Sequence, residues 1–300
     1  HLSTLRRGAE RYRQLEQALA DHIDAPIDQL TRRSLQLAID AKANDGRKVY
    51  ANRIRAALSA FTAWAAGREY IDRDIGAALP KATKETARTR VLSIEEIRKI
   101  WDASHQMGVL WGPIIRLWIL TAQRRGEILD LRWSEIDLDQ RHILKPGSKT
   151  KNGKPHVTHL SPPAIKEFEA LLEKNRVQKA ARQPGKSAAS EFVFTATGYS
   201  PPSGVSKAKA RLDRILGENV EPWRLHDIRT AFATVMVSVD VPETVADRVL
   251  NHSASGSAPS AVARVYNQAE LLPQRAAALE KWAEIVTGEG AQVISLRLKK

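Results

Sequence analysis

Residues 223–266 read WRLHDIRTAFATVMVSVDVPETVADRVLNHSASGSAPSAVARVY, and the rest of the chain takes its meaning from them. Ile228, Phe232, Val235, Met236 and Val239 recur at helical spacing and predict an amphipathic helix. His226 and Arg229 lie three residues apart, hence side by side on one flank of that stripe. The spacing puts both at the rim of the core, where a phosphate can reach them. Asp240-Val-Pro-Glu243 opens a second helix that ends near Leu250, with Pro242 in its first turn. His252 then precedes a loop of small residues, Ser253 to Ser260, and Tyr266 follows it. An H-x-x-R pair alone is most often a solvated surface pair, so its weight depends on the other segments.

Working back from this stretch, Pro201-Pro202 precedes a basic helix (Lys207, Lys209, Arg211, Arg214), and Phe192 to Phe194 is a brief strand candidate. Pro162 to Gln178 reads as helix and Ala180 to Ser190 as loop. Between Arg141 and Leu160 the periodicity changes, and Asn152-Gly153 predicts the type I′ turn of a β-hairpin. Lys149, Lys151 and Lys154 flank that turn. Exposed lysines at a hairpin tip ordinarily serve solubility, but a tip can also carry a lysine into a groove. Trp111 to Leu131 is largely apolar and ends in LTAQRRGEILDLRW, so Arg124 and Arg125 directly follow a buried run and need partners. Glu127 is placed to pair with Arg124. Ser93 and Glu96 have capping-box spacing at the start of the preceding helix.

Residues 1–80 read as helices. Leu15, Leu19 and Ile23 form one stripe; Ile27, Leu30, Leu35, Leu37 and Ile39 form the next, with Thr31 as N-cap. A third helix, Val49 to Trp64, has a face holding Arg47, Lys48, Asn52, Arg53 and Arg55, which suits contact with a DNA backbone. Leu79 to Arg90 is polar and basic, the composition of an exposed interdomain linker. Leu271 to Val286 predicts a C-terminal amphipathic helix, and residues 292–298 an edge strand. The expected architecture is mainly α with a small antiparallel β-sheet: a helical domain over 1–80, a linker over 81–90 and a second domain over 91–300.

Three hundred residues with a formal charge of +13 point to a polyanionic partner, nucleic acid before membrane surface. No apolar run reaches the roughly 18–20 residues of a membrane span, and no signal-peptide pattern opens the chain. Zero cysteines exclude disulfides, thiol nucleophiles and thiolate metal sites.

The order T-A-Q-R-R-G-E, a hairpin lysine, H-x-x-R, L-N-H and then a tyrosine resembles the tyrosine recombinases, the phage-integrase family, over roughly residues 10–287. The resemblance implies a helical (SAM-like) core-binding domain followed by a DNA breaking-rejoining catalytic domain. It puts the catalytic set on Arg124, Lys151, His226, Arg229, His252 and Tyr266, with Glu127 supporting and Lys149 as the fallback for the hairpin lysine. Expected DNA contacts are Arg47, Lys48, Arg53, Arg55, Lys149 and Lys154. The resemblance further implies a bacterial or phage-type protein of the cytoplasm and nucleoid, double-stranded DNA as partner, and a homo-tetramer on two duplexes that is a monomer when free. Accessory DNA-bending or directionality proteins are implied as well, and no cofactor or metal. Phage members often add an N-terminal arm-binding domain, for which there is no room here; a chain beginning at His1 reads as a fragment of something longer. Two departures stand out: Asn251 occupies the usual glycine position before the second histidine, and the fourteen residues from His252 to Tyr266 exceed the family's spacing.

The chemistry suits these residue types. A tyrosine oxygen attacking phosphorus gives a 3′-phosphotyrosine and frees a 5′-hydroxyl, conserving the bond for rejoining. With a pKa near ~10, about one tyrosine in a thousand is ionised at pH 7, so it needs a base or cations nearby. His226 can take the proton, the two arginines can each donate twice to the phosphate oxygens, His252 can add a bond, and a hairpin lysine can protonate the leaving oxygen. One alternative is a catalytically impaired DNA-binding protein of the same fold, suggested by the long His252–Tyr266 gap. A metal-dependent phosphohydrolase, suggested by His226-Asp227, would need several converging carboxylates or histidines, while Asp227 suits the first turn of a helix. A type IB topoisomerase shares the chemistry without further support in this chain.

Overall fold

The computed structural model describes residues 8–86, 89–150, 153–180, 190–252 and 270–288. The chain divides into two compact units, His1–Thr89 and Arg90–Lys300.

The first unit packs three helices, α1 (Gly8–Ala18), α2 (Arg32–Asn44) and α3 (Lys48–Ala66), around Leu15, Leu35, Ile39, Ile54 and Leu58. α2 starts where its sequence allows both first-turn donors to be satisfied: Thr31 Oγ1 accepts from Ser34 N, and Ser34 Oγ accepts from Thr31 N, each at 3.1 Å. Leu37, expected on the apolar stripe, is 59 % exposed. Positions 35, 37 and 39 have the period of a strand, and a helix can bury only the outer two together.

Asn52, expected on the basic face of α3, is buried. Its amide donates to Thr83 O and Glu85 Oε1 (both 2.9 Å) and its oxygen accepts from Ala82 N (2.8 Å). Arg53 pairs with Glu85 at 2.8 Å, and Arg55 donates to Leu79 O at 3.1 Å. The segment read as an exposed linker thus begins as a strap along α3, with Leu79 in the core. Three polar side chains of one helix, Asn52, Arg53 and Arg55, bind the segment's backbone and its acid, Glu85.

The second unit is built around α5 (Gly108–Thr121), whose single charged side chain, Arg116, is paired with Glu167 at 2.6 Å. Ile115 and Ile119 pack into one cluster with α4 (Ile94–Ser104), α8 (Val205–Leu216), α9 (Asp227–Ser238), α10 (Glu243–Val249) and α11 (Leu272–Thr287). Ile114, Leu117, Trp118 and Leu120 pack into another with α6 (Arg125–Leu129), α7 (Pro162–Ala180) and the sheet. A helix buried on both sides reads as a continuous apolar run for that reason. The Ser93–Glu96 capping box forms as the spacing predicts. Among the described residues no helix is long and apolar enough to cross a membrane.

The sheet is antiparallel, in the order β1 (Ile136–Asp137), β2 (His142–Lys145), β3 (His156–His159). Ile143 faces Thr158 and Lys145 faces His156, all four buried on the inner side. The hairpin is present, but Asn152-Gly153 does not close it in two residues. That turn would set Ile143 opposite Pro162, which starts α7 and has no N–H to offer. The connection instead runs from Pro146 to Pro155. Phe192 makes a single bridge to Arg132 rather than a strand. Residues 292–298 lie outside the described residues.

Candidate functional site

Three helix ends meet in the second unit. α5 stops at Ala122, whose φ of 50° turns the chain into left-handed backbone and starts α6 with Arg124 as its N-cap. Glu127 satisfies Arg124 twice, its carboxylate accepting from the backbone N–H (3.0 Å) and from Nη1 (3.1 Å). This is the pairing expected from their three-residue spacing.

The end of α10 supplies the partners that hold the site together. Its last carbonyls carry partial negative charge and have no acceptor role inside the helix. Gln123 Nε2 donates to Val249 O (2.9 Å), Arg229 Nη2 to Leu250 O (2.7 Å) and Arg124 Nη2 to Asn251 O (2.7 Å). Arg229 Nη1 reaches Ala122 O at 2.6 Å. Arg124 and Arg229, more than a hundred residues apart, are therefore fastened to consecutive carbonyls. Asn251 has a φ of 49°, a conformation that glycine adopts freely and asparagine tolerates better than other side chains. The departure at this position keeps the backbone requirement.

Arg229 is 2 % exposed, well inside the rim position that its helical spacing implies. Burial, with Arg124 alongside, lowers its pKa to about 10. His226 caps α9 and stays open to solvent. Desolvation by the surrounding protein, then Arg229, lowers its pKa, and His252 and Arg124 act on it in the same direction. The neutral imidazole is the form that can accept a proton. His252 follows α10, with Nδ1 2.9 Å from Asp247 Oδ1; Nε2 is the nitrogen left for another partner. A cleft of about 580 Å³ opens beside His226 and Arg229, lined also by Arg125, Lys209, Trp223 and Arg224. Lys209 lies 4.1 Å from the centre of the Trp223 ring. Among the described residues no three His, Asp or Glu side chains gather to hold a metal, and Asp227, in the first turn of α9, accepts from Arg224 N ahead of the helix at 2.8 Å.

Lys151 and Tyr266 lie outside the described residues. Lys149 is described, its ammonium 2.8 Å from Glu135 Oε1. Lys154 is exposed on the same connection, and Arg47 and Lys48 are exposed at the start of α3, Arg47 2.8 Å from Asp45.

Sequence reasoning missed Gln123, Glu135, Lys145, His156 and Arg275. Lys145 was detectable: it alternates with Ile143, and a lysine on the buried face of a strand demands an acid. His156 was not. It is 5 % exposed, and burial, then Arg275, lowers its pKa to about 3, with Arg124 and Arg229 contributing. Arg275 on α11 donates to Glu270 O (3.2 Å) and to Val157 O.

His156 makes folding pH-dependent. The native side chain stays neutral while the unfolded one protonates below pH 6.5, so its contribution is complete above 6.5 and is lost as pH falls towards 3. Between pH 6.5 and 4.5 the loss is roughly 2 kcal/mol. Urea unfolding of a His156→Gln variant is expected to show that much less acid sensitivity than the unsubstituted protein; equal slopes against pH would contradict it.

Residues 90–269 match the model of the phage integrase family. The prophage integrase IntZ of Escherichia coli strain K12 is 29 % identical over 198 residues, which is 65 % of this chain and 44 % of that protein. Two solved structures of lambda integrase have the same fold. A dimer of residues 75–356 bound to a COC′ core site gives a TM-score of 0.61 at 19 % identity, covering 85 % of this chain and 91 % of that one. A tetramer bound to a Holliday junction gives 0.60 at 18 %, covering 85 % and 73 %. The chain spans less than two thirds of the relatives it matches, 44 % of IntZ and 62 % of the phage lambda integrase. With three fifths of its length inside the family model, the chain belongs to the phage integrase family.

Proposed function

We propose that this chain is a site-specific DNA recombinase that cuts and rejoins DNA through a 3′-phosphotyrosine, for integration or excision of a mobile element. The observation that carries the reading is the convergence of Arg124 and Arg229 on the end of α10, with His226 and His252 flanking them. Two guanidiniums on one spot suit a phosphodiester whose charge builds in the transition state. In this reading Tyr266 Oη attacks phosphorus and passes its proton to His226. The arginines and His252 bind the non-bridging oxygens, and Lys151 protonates the 5′-oxygen as the P–O bond breaks. Glu127 orients Arg124. Attack by a 5′-hydroxyl on the phosphotyrosine reverses the step.

Double-stranded DNA is the partner this chemistry needs. The exposed cations Arg47, Lys48 and Lys154 suit backbone phosphates. The Arg47–Asp45 and Arg53–Glu85 pairs are solvent-exposed, where such pairs hold weakly, so a phosphate can displace the acid. Arg55 serves the fold through Leu79. Lambda integrase binds DNA as a dimer and, on a Holliday junction, as a tetramer; a tetramer on two duplexes, with accessory bending proteins, is the corresponding proposal here.

The test is covalent capture in EDTA on a nicked duplex spanning the junction of the mobile element, the nick letting the short 5′-hydroxyl strand escape. A protein–DNA adduct resistant to SDS is expected, and mass spectrometry of its tryptic digest should put the linked nucleotide on Tyr266. DNA bound without any adduct would favour the impaired binding protein, and a linkage to another residue would remove Tyr266 from its role.

A further inference from the structure

Glu135 is 7 % exposed and holds two ammonium groups. Its Oε2 accepts from Lys145 Nζ on β2 (2.7 Å) and from Arg132 N (3.0 Å); its Oε1 accepts from Lys149 Nζ on the hairpin connection (2.8 Å). Burial alone would raise its pKa, but the two lysines outweigh that and keep it below the usual range. Lys145, buried beside Ile143, already neutralises the acid. Lys149, which also lies 3.9 Å from Asp130 Oδ2, adds a tie between the connection and the body of the unit.

The connection is closed on itself. Thr150 Oγ1 donates to Gly147 O (3.0 Å) and Lys154 O (2.7 Å). A Cβ at Gly147 would lie 2.3 Å from Gly153 O, so the two limbs touch where only glycine fits. These contacts brace the two described limbs, residues 146–150 and 153–155, against each other, and Lys149 is where the first limb is fastened to a buried group. Residue 151 follows Thr150 by a single peptide.

From this geometry we infer that Glu135 is a positioning residue: through Lys149 it sets the pose of the hairpin connection and so aims Lys151 at the leaving oxygen. The inference rests on the reading of Lys151 as proton donor. It also separates the two lysines, since Lys149 is engaged by Glu135 and Asp130, and Lys151 is the one delivered.

Two readouts on the full chain test it. Limited trypsin cleavage after Lys149 and Lys151 is expected to be roughly tenfold faster in Glu135→Gln, because the tie that suppresses local opening is weakened. On the junction duplex, Glu135→Gln is expected to form adduct roughly tenfold more slowly through kcat, with KM little changed. The same duplex with sulfur in place of the bridging 5′-oxygen has a leaving group that needs no proton, and on it the variant should match the unsubstituted protein. Lys149→Met cuts the tie from the exposed side, leaves the buried Lys145–Glu135 pair intact, and should give both results if Glu135→Gln fails to fold. Unchanged trypsin rates, or equal slowing on oxygen and sulfur, would overturn the inference. Lys151→Met run alongside isolates its premise: no rescue by sulfur there removes Lys151 as the acid, and no adduct with the unsubstituted protein removes the recombinase reading, while the trypsin rates still decide whether Glu135 holds the loop.

Discussion

Arg229→Lys should leave a folded protein that forms adduct about 10²–10³-fold more slowly, the loss typical of one missing transition-state donor. Charge is nominally conserved, so the effect has to come from shape and burial. The two Nη atoms of Arg229 reach carbonyls from different helix ends, Ala122 O at 2.6 Å and Leu250 O at 2.7 Å. One ammonium cannot bridge both and also face a phosphate with two parallel donors. A lysine at a position 2 % exposed also loses its proton readily, where an arginine lowered to about 10 keeps its own. The carbonyl left unpaired costs about 1–3 kcal/mol of stability, tolerable for a unit this size. Initial rates of adduct formation at saturating protein, with a melting curve beside them, provide the check. A rate within tenfold of the unsubstituted protein would remove Arg229 from the phosphate-binding pair.

Trp282→Ala should destabilise the second unit by about 3–5 kcal/mol, the range for deleting a fully buried aromatic. Trp282 is 0 % exposed on α11. It packs edge-on against Phe232 of α9, with ring centres 5.4 Å apart, and donates from Nε1 to Ile119 O of α5 at 2.7 Å. The substitution removes apolar burial, an aromatic pair worth about 0.5–1.5 kcal/mol and a hydrogen bond between two central helices. Urea unfolding monitored by circular dichroism measures it; a loss below about 1 kcal/mol would mean that α11 packs more loosely than its contacts imply.

Both predictions involve residues whose place in the fold could be read from sequence to different depths. The stripe from Ile228 to Val239 and the spacing of Trp282 in its helix were legible because helical periodicity is a local property. So were the Thr31 and Ser93 caps and the Arg124–Glu127 pair, each confined to four residues. Leu37 falls off the stripe because positions 35, 37 and 39 alternate at a strand's period, which a helix cannot bury together. The two-residue turn at Asn152-Gly153 failed because local turn preference yields to the register of the inner sheet face. What stayed hidden was long-range: Glu135 meets lysines ten and fourteen positions on, and Arg229 is drawn inward by carbonyls that no motif records. The strap that Asn52, Arg53 and Arg55 hold against α3 reads in sequence as a charged surface, because nothing local marks its partners.

The arginines at the end of α10 are solvated by backbone dipoles, with Glu127, among the described residues, the one carboxylate in hydrogen-bond contact with either of them. Dipoles offset the cost of burying a cation without cancelling its sign. The spot between the two guanidiniums therefore keeps a positive charge, which suits a tetrahedral oxyanion. On the proposed function, sulfate or phosphate in a storage buffer would compete for the same spot as a strand of DNA, and the choice of counter-ion becomes part of handling this protein.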